Sequence, residues 1–346
     1  MIVAFHALAA FVEAPLLAWS ERVRARWFSA GSLAVVALSS FAAALYPRGV
    51  CLFVALAIYG PASGCALSIA EGLLVEAAPQ ARERTMARVS LAANAGDLAV
   101  PLLLGALSWC GLGFRTAFAI AGATAALLAI SHASARALDR NAKLDDEGAD
   151  EPAPTIPQAL RVAIGTRPLL VWSFVCALTA LLDEVLVAFS ALHLDAMGTT
   201  PNARSFAIGA WVVGGFVGLA FLERFVDRIG PRRVLGWACA ATALELVVLA
   251  RSHSPLVGTG AMFLIGITGS TLHPLTKARA YAALPQRPAL VNAVASALLP
   301  FDMAAPMLLG VLATFSGSRW AILGLLVAPL GVATAAWRLE IGGAPE

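Results

Sequence analysis

Apolar residues fall along the chain into eleven blocks of about 20 residues, separated by short stretches that carry charges, proline or glycine. A helix that rises 1.5 Å per residue needs about 20 residues to cross roughly 30 Å of hydrocarbon. The strands of a membrane barrel would instead show segments of about 10 residues with alternating polarity. The pattern therefore predicts an all-α membrane protein with eleven spans, at 2–19, 27–46, 49–76, 85–110, 114–133, 168–192, 205–223, 233–250, 255–276, 288–315 and 319–337.

The composition supports a membrane protein and excludes several other classes. The chain is 60% hydrophobic and 13% charged, whereas soluble domains carry about 25% charged residues. Its five cysteines lie in or beside apolar blocks without disulfide or metal-ligand spacing. Nucleotide-binding loops and HExxH patterns are absent from the sequence, so we expect no cofactor, no metal, no nucleic-acid partner and no enzyme activity.

One segment between the fifth and sixth spans has a different composition. Residues 134–167 are charged and rich in proline, which is typical of a solvated linker, here ending in a short surface helix. The sequence therefore predicts an N-terminal bundle of five spans at 1–133, a cytoplasmic linker at 134–167 and a C-terminal bundle of six spans at 168–346.

The basic residues predict the orientation of the spans. Of the 24 lysines and arginines, nineteen fall in one set of alternate loops and five in the other. Short loops that carry lysine and arginine stay in the cytoplasm. The linker and the C-terminus are therefore expected on the cytoplasmic side of the inner membrane, and residue 1 outside.

The two halves of the chain repeat each other. "DLAVPLLLGAL" from Asp97 recurs as "DMAAPMLLGVL" from Asp302, and Gly60 corresponds to Gly266 at a shift of 206 residues. Projected back by that shift, the span 168–192 falls before residue 1. We therefore expect a six-plus-six architecture that lacks its first helix because the chain starts late; a natural eleven-span variant is the alternative.

The segment "ERFVDRIGPRRVL" at 223–235 resembles the loop motif of the major facilitator superfamily between the second and third helices of each half. The matching residues of the second half are Asp227, Arg228, Gly230, Arg232 and Arg233, and those of the first half are Glu21 and Arg22. The resemblance implies two helical bundles that transport a small molecule by alternating access. An acid beside guanidinium groups can cross-link helices in one state of that cycle; ordinary anchoring of cytoplasmic arginines is the alternative.

A second resemblance bears on the direction of transport. "NAGDLAVPLLLG" is similar to the fifth-helix motif of drug/proton antiporters, which favours export, although Val100 stands where that motif has glycine. The fourth-helix arginine typical of such exporters is missing, and Leu56 stands near its expected position.

Two acids repeat near the middle of their spans, Asp97 and Asp302. A charge at the centre of a bilayer costs a few kcal/mol, so intramembrane acids are candidates for function. Each precedes a proline by four residues, and proline cannot donate to the carbonyl of the aspartate. Both are candidates for proton coupling; a structural hydrogen bond between helices is the alternative.

Three further polar residues are candidates for substrate or proton binding. Asp183 and Glu184 are adjacent on the seventh helix of the full fold, about 100° apart, so one is expected to face the transport path that the resemblance implies. A histidine side chain can change its charge near neutral pH, and His273 precedes a proline; a satisfied core group is the alternative for this histidine, as it is for Glu13.

Glu71 and Lys277 occupy corresponding positions at the 206-residue shift. Opposite charges at such positions predict a salt bridge that forms a gate; two independent side chains that reach toward the interface are the alternative.

Taken together, the sequence predicts a monomeric, multi-pass transporter that exports a small molecule in exchange for protons. The alternatives are a non-transporting receptor or scaffold on a truncated transporter fold, and an uptake symporter for a sugar or organic acid.

Overall fold

The computed structural model describes residues 2–135, 156–285 and 287–341. All regular elements in these residues are helices, and ten helical stretches are long and apolar enough to cross a membrane. The first predicted span also forms a helix, which is not among the ten. The all-helical membrane fold predicted from the sequence is thus confirmed.

Six helices precede the sixth predicted span: α1 (Ile2–Ser20), α2 (Ala25–Leu45), α3 (Gly49–Ala77), α4 (Arg82–Trp109), α5 (Phe114–Ser134) and α6 (Ile156–Gly165). The last of them is the short helix expected at the end of the linker; linker residues 136–155 lie outside the described residues. Ten more helices follow: α7 (Arg167–Ala180), α8 (Glu184–Ala196), α9 (Pro201–Ile229), α10 (Pro231–Arg251), α11 (Pro255–Gly269), α12 (Leu272–Ala283), α13 (Pro288–Ala297), α14 (Leu299–Ser316), α15 (Ser318–Gly324) and α16 (Val327–Ile341).

Four predicted spans are each divided into two helices, which the periodicity did not indicate. The break between α11 and α12 includes Ser270, four residues before Pro274, and the break between α15 and α16 includes Leu325, four residues before Pro329. Proline has no N–H to donate to the carbonyl four residues earlier, so helix geometry is weakened at both places. The other two breaks separate α7 from α8 and α13 from α14.

The described helices belong to two compact units. The first unit comprises Met1–Ala77, Ala95–Thr166 and Leu284–Pro300. Within it α2 packs against α3 and α5, and α1 packs against α3 and α13. Its main apolar core consists of Leu17, Ala18, Ala25, Phe28, Cys65, Ile69, Ala289, Leu290 and Ala293.

The second unit comprises Ala78–Asn94, Arg167–Ala283 and Phe301–Glu346. Within it α9 packs against α11, α7 against α12 and α16, and α10 against α11, α15 and α16. The division of the chain at 133 and 168 stays a prediction from the sequence.

One segment from each half of the sequence belongs to the unit formed mainly by the other half. Residues 78–94 fall in the second unit and residues 284–300 in the first. These two segments are related by the same shift of 206 residues that relates the halves of the chain. The two segments that join the other unit therefore occupy equivalent positions in the two halves of the repeat.

Glycines allow α9 and α11 to pack closely. A Cβ atom on Gly218 would lie 2.8 Å from Cα of Ile267, and a Cβ atom on Gly214 would overlap the carbonyl of Phe263. Gly266 on α11 is equally close to the backbone of α9. Small residues four apart are typical of membrane helices that are held together by close backbone packing.

Gly218→Ala should therefore separate α9 from α11. We expect a loss of about 1–3 kcal/mol of stability, because the added methyl group meets backbone that cannot move aside. Thermal unfolding of the purified protein in detergent measures the effect. Gly209→Ala is the matched control on the same helix, since a Cβ there meets nothing within 4 Å; equal melting temperatures for both variants would contradict this account.

Candidate functional site

The second unit brings an imidazole, a hydroxyl, a thiol and a carboxyl group together inside its spans. Nδ1 of His273 on α12 lies 3.4 Å from Oγ1 of Thr179 and 3.5 Å from Sγ of Cys176, both on α7. Asp302 on α14 is close enough to His273 for their charges to interact. We name these four residues, Cys176, Thr179, His273 and Asp302, the His273 cluster.

The hydrogen bonds of Thr179 indicate the tautomer of the imidazole. The Thr179 hydroxyl donates to the carbonyl of Cys176 at 2.6 Å. Its oxygen can therefore only accept from His273, which places the N–H on Nδ1 of the ring. The nitrogen that gains or loses a proton is then Nε2.

Asp302 contributes a carboxyl group that is partly enclosed. Its side chain is half-buried, and Oδ1 has no hydrogen-bond partner among the described residues. Pro306 lies four residues later inside α14, so the backbone carbonyl of Asp302 also lacks the usual helical donor. The position can hold an exchangeable proton or accept a hydrogen bond from a substrate.

The other predicted acids lie at exposed positions. Asp97 is exposed on α4, and no hydrogen bond or ion pair of its side chain is found in the described part of the chain. Asp183 lies in the turn between α7 and α8, and Glu184 begins α8; both side chains are exposed. Because the helix is interrupted here, the 100° separation expected for a continuous helix does not apply to this pair.

The loop motif of the second half forms ion pairs with α4. Nε of Arg88 donates to Oε1 of Glu223 at 2.8 Å. Arg84 lies 3.8 Å from Glu223 and 3.8 Å from Asp227. We name Arg84, Arg88, Glu223 and Asp227 the loop ion cluster; it cross-links α4 and α9 within the second unit.

Gly230 gives the loop its shape, because its φ of +92° is rarely accessible to residues with a side chain. It ends α9 and precedes α10 directly. Arg228, Arg232 and Arg233 are exposed around this turn, as is Arg22 of the first-half motif, while Glu21 is half-buried in the turn after α1.

The two predicted gate residues lie in different units. Glu71 is buried on α3 of the first unit. Lys277 is half-buried on α12 of the second unit, one turn after His273 and close enough to Cys176 for their charges to interact. The salt bridge between Glu71 and Lys277 stays a prediction.

Comparison with known proteins identifies the family. A family model described as Major Facilitator Superfamily matches residues 1–200, which is more than half of the chain. The chain belongs to the major facilitator superfamily. It is therefore a multi-pass membrane transporter of small molecules and not an enzyme, as the sequence predicted.

Solved structures of the superfamily share its fold at low sequence identity. The human organic anion transporter MFSD10 (TETRAN) superposes with a TM-score of 0.72 at 16% identity, over 96% of this chain and 82% of that chain. FucP in its outward conformation gives a TM-score of 0.71 at 14% identity, over 99% of this chain and 89% of FucP. A variant of the E. coli fucose:proton symporter FucP gives 0.65 at 14% identity, over 99% and 90%. None of the curated proteins matches the sequence of the chain significantly.

Several residues of these clusters were not indicated by the sequence. Cys176 and Thr179 are small polar residues three apart in an apolar helix, a pattern too common to single out. Glu223 stands where the superfamily loop motif begins with glycine. This replacement of glycine by an acid was the one local sign that position 223 could form an ion pair. The contact itself joins residues 135 positions apart, so no local pattern shows it.

Arg88→Glu should weaken the loop ion cluster, because it places a second acid beside Glu223. We expect a lower melting temperature in detergent at low salt, and Arg88→Glu combined with Glu223→Arg should restore most of the loss. The effect should shrink as salt is added, since these side chains are exposed and their charges are screened.

Arg233→Glu makes the same charge change at an exposed residue for which no ion pair is described, and serves as the control. An additive double variant, with no recovery at low salt, would show that the Arg88–Glu223 pair does not hold α4 to α9.

Proposed function

We propose that the chain is a secondary transporter that exports a small molecule in exchange for protons by alternating access. The observation that carries this proposal is the placement of two titratable groups, the His273 imidazole and the Asp302 carboxyl group, inside the spans of the second unit and close enough for their charges to interact. An imidazole and a carboxyl group that interact in this way form a site whose charge changes by one unit for each proton bound.

The proton and the substrate compete in this proposal. Because the charges of His273 and Asp302 interact, the protonation of either group changes the free energy of protonating the other. A substrate that offers a donor or a positive charge to Asp302 would displace a proton from the pair. Binding of one ligand would thus release the other, which is the requirement for exchange.

Interrupted helices beside the pair support this assignment. The break before α12 lies three residues before His273, and the break after α7 lies two residues beyond Thr179. Broken helices supply backbone carbonyls that are not used within the helix, and transporters use such groups for substrates and coupling ions. Asp183, Glu184 and Asp97 are further proton-accepting groups in this proposal.

The direction of transport rests on the partial fifth-helix motif around Asp97. The second candidate is uptake of an organic acid or a sugar together with protons. It is favoured by two fold neighbours, one of which is an organic anion transporter and the other a fucose:proton symporter.

Asp302→Asn should abolish the response of transport to a pH gradient, because the amide cannot exchange a proton. Resistance of cells that overproduce the chain, tested over a panel of amphipathic toxic compounds, selects the compound to use. Its flux is then measured in proteoliposomes with and without an imposed pH gradient. We expect the gradient to accelerate export by the native protein and to leave the variant at its rate without a gradient.

Glu245→Gln is the matched control, because Glu245 is also an acid within a span of the same unit. Its Oε2 accepts a hydrogen bond from Thr268 at 2.6 Å, which ties α10 to α11 and gives this acid a structural role. Loss of the pH response in Glu245→Gln but not in Asp302→Asn would contradict the proposed site. Flux toward the opposite side of the membrane would favour uptake, and no flux for any compound of the panel would contradict proton-coupled export of such compounds.

A further inference from the structure

The first unit contains a buried carboxyl group that the proposed function does not use. Glu13 on α1 is 7% exposed and Ser296 on α13 is 6% exposed. The Ser296 hydroxyl donates to Oε1 of Glu13 at 2.8 Å. This hydrogen bond joins residues 283 positions apart in the sequence and directly connects α1 to the segment 284–300.

The backbone of α3 leaves room for the carboxyl group. A Cβ atom on Gly64 would lie 2.6 Å from Cδ of Glu13, which is closer than real Cβ contacts. A side chain at position 64 would therefore require the Glu13 carboxyl group to shift from its place beside Ser296. Three helices thus shape this site: α1 supplies the acid, α13 the hydroxyl and α3 the space.

The repeat shows that the helix packing does not require an acid at this position. The residue that corresponds to Glu13 at the 206-residue shift is Leu219, which is 1% exposed in the second unit. A leucine at that position is fully packed. The carboxyl group of Glu13 is therefore an addition to the fold, and burial of an ionisable group that packing does not need is typical of functional sites.

The surroundings of the site are mainly apolar. Leu17 follows Glu13 by one helical turn and packs with Leu290 and Ala293 of α13. Asn292 of α13 donates to the backbone carbonyl of Ser68 on α3 at 2.7 Å, which fixes α13 beside the site. Movement of α13 would therefore change the surroundings of the Glu13 carboxyl group.

Several other titratable side chains lie on the neighbouring helices or directly beside them. The Cys65 thiol on α3 lies near the Glu13 carboxyl group. In its neutral form this thiol adds no charge to the site. Helix α13 contains no titratable side chain, and Arg161 of α6 is exposed. The remaining groups are His6 on α1, whose side chain lies outside the described ones, Cys51, Tyr59, Glu71 and Glu76 on α3, Glu21 and Arg22 after α1, and Arg287 before α13.

We propose that Glu13 is a second proton-binding site, whose occupancy is coupled to the contact between α13 and α1. The coupling part of this inference rests on the proposed function. In the charged state the carboxylate accepts the hydrogen bond from Ser296. When hydronium transfers a proton to an oxygen of Glu13, one O–H bond of hydronium breaks, one forms on the carboxyl group, and a water molecule is left. The carboxyl group becomes neutral and no longer needs the Ser296 donor. Proton binding therefore lowers the cost of moving α13 away from α1.

Infrared difference spectroscopy of the purified full chain between acid and alkaline pH tests the site with the proton itself as the ligand. Protonated carboxyl groups give a C=O stretching band that carboxylates lack. We expect a band from a buried carboxyl group that titrates within about pH 4–9. This band should be missing from the spectrum of Glu13→Gln and retained in the spectrum of Glu245→Gln. A spectrum of Glu13→Gln identical to that of the native protein would overturn the proposal.

Glu13→Gln could lose the infrared band because the variant fails to fold. Two further variants, which keep the Glu13 carboxyl group, therefore test the site independently. Ser296→Ala removes the donor to the charged form, so the midpoint of the Glu13 band should move to higher pH by about one unit. Gly64→Ala should move it in the same direction, because the added methyl group displaces the carboxyl group from Ser296. An unchanged midpoint in both variants would overturn the role given to Ser296.

Failure of this inference and failure of the proposed function give different results. A Glu13 band in a protein that transports none of the panel compounds would support the proton site and contradict the transport proposal. Proton-driven flux without a Glu13 band would support the transport proposal and overturn this site.

Discussion

The free-energy cost of a polar side chain within hydrocarbon is the constraint on which the described sites depend. Two acids inside spans meet it with a hydrogen bond from another helix. Glu13 accepts from the Ser296 hydroxyl and Glu245 accepts from the Thr268 hydroxyl, whereas Oδ1 of Asp302 has no hydrogen-bond partner among the described residues and its charge interacts with that of His273. Glu13 and Glu245 therefore also fix a helix contact. A change in the charge of such an acid then changes the free energy of that contact, which is how proton binding can be linked to movement.

The internal repeat places different chemistry at corresponding positions. In the first unit, segment 284–300 packs on Leu17 with apolar side chains such as Leu290. In the second unit, the corresponding segment 78–94 adds to its buried Met86 and Ala87 the ion pairs of Arg84 and Arg88 with Glu223, which stands where the first half has Leu17. Exposed ion pairs contribute little stability, and added salt weakens them further. Contacts between packed apolar side chains are not screened by salt. The two repeat-related contacts are therefore expected to differ in strength and in their response to ionic conditions.

The sequence predicted the elements of this fold better than their contacts. Hydrophobic block length is a local property, and each predicted span falls on a helix or a pair of helices. The spans predicted at 205–223 and 255–276 nevertheless end six and seven residues early, and the first helix is not among the ten candidate spans. Proline accounts for the breaks near Ser270 and Leu325, but no local pattern shows the break before Asp183. The repeat made Asp97 and Asp302 equivalent, yet among the described residues an interaction with a histidine is found for Asp302 and not for Asp97, because His273 lies on another helix of the second unit. Pairings such as Arg88 with Glu223 likewise depend on packing between helices, which periodicity does not encode.

In the mechanism that we propose, proton binding within the spans drives the movement of a small molecule. The most direct test places the purified chain in proteoliposomes with the exported compound at equal concentration on both sides and with the membrane potential clamped at zero. A pH gradient is then imposed, and the concentration of the compound on each side is followed with time. The account predicts that the compound accumulates on the acidic side against its own gradient. Concentrations that stay equal while the pH gradient persists would contradict it.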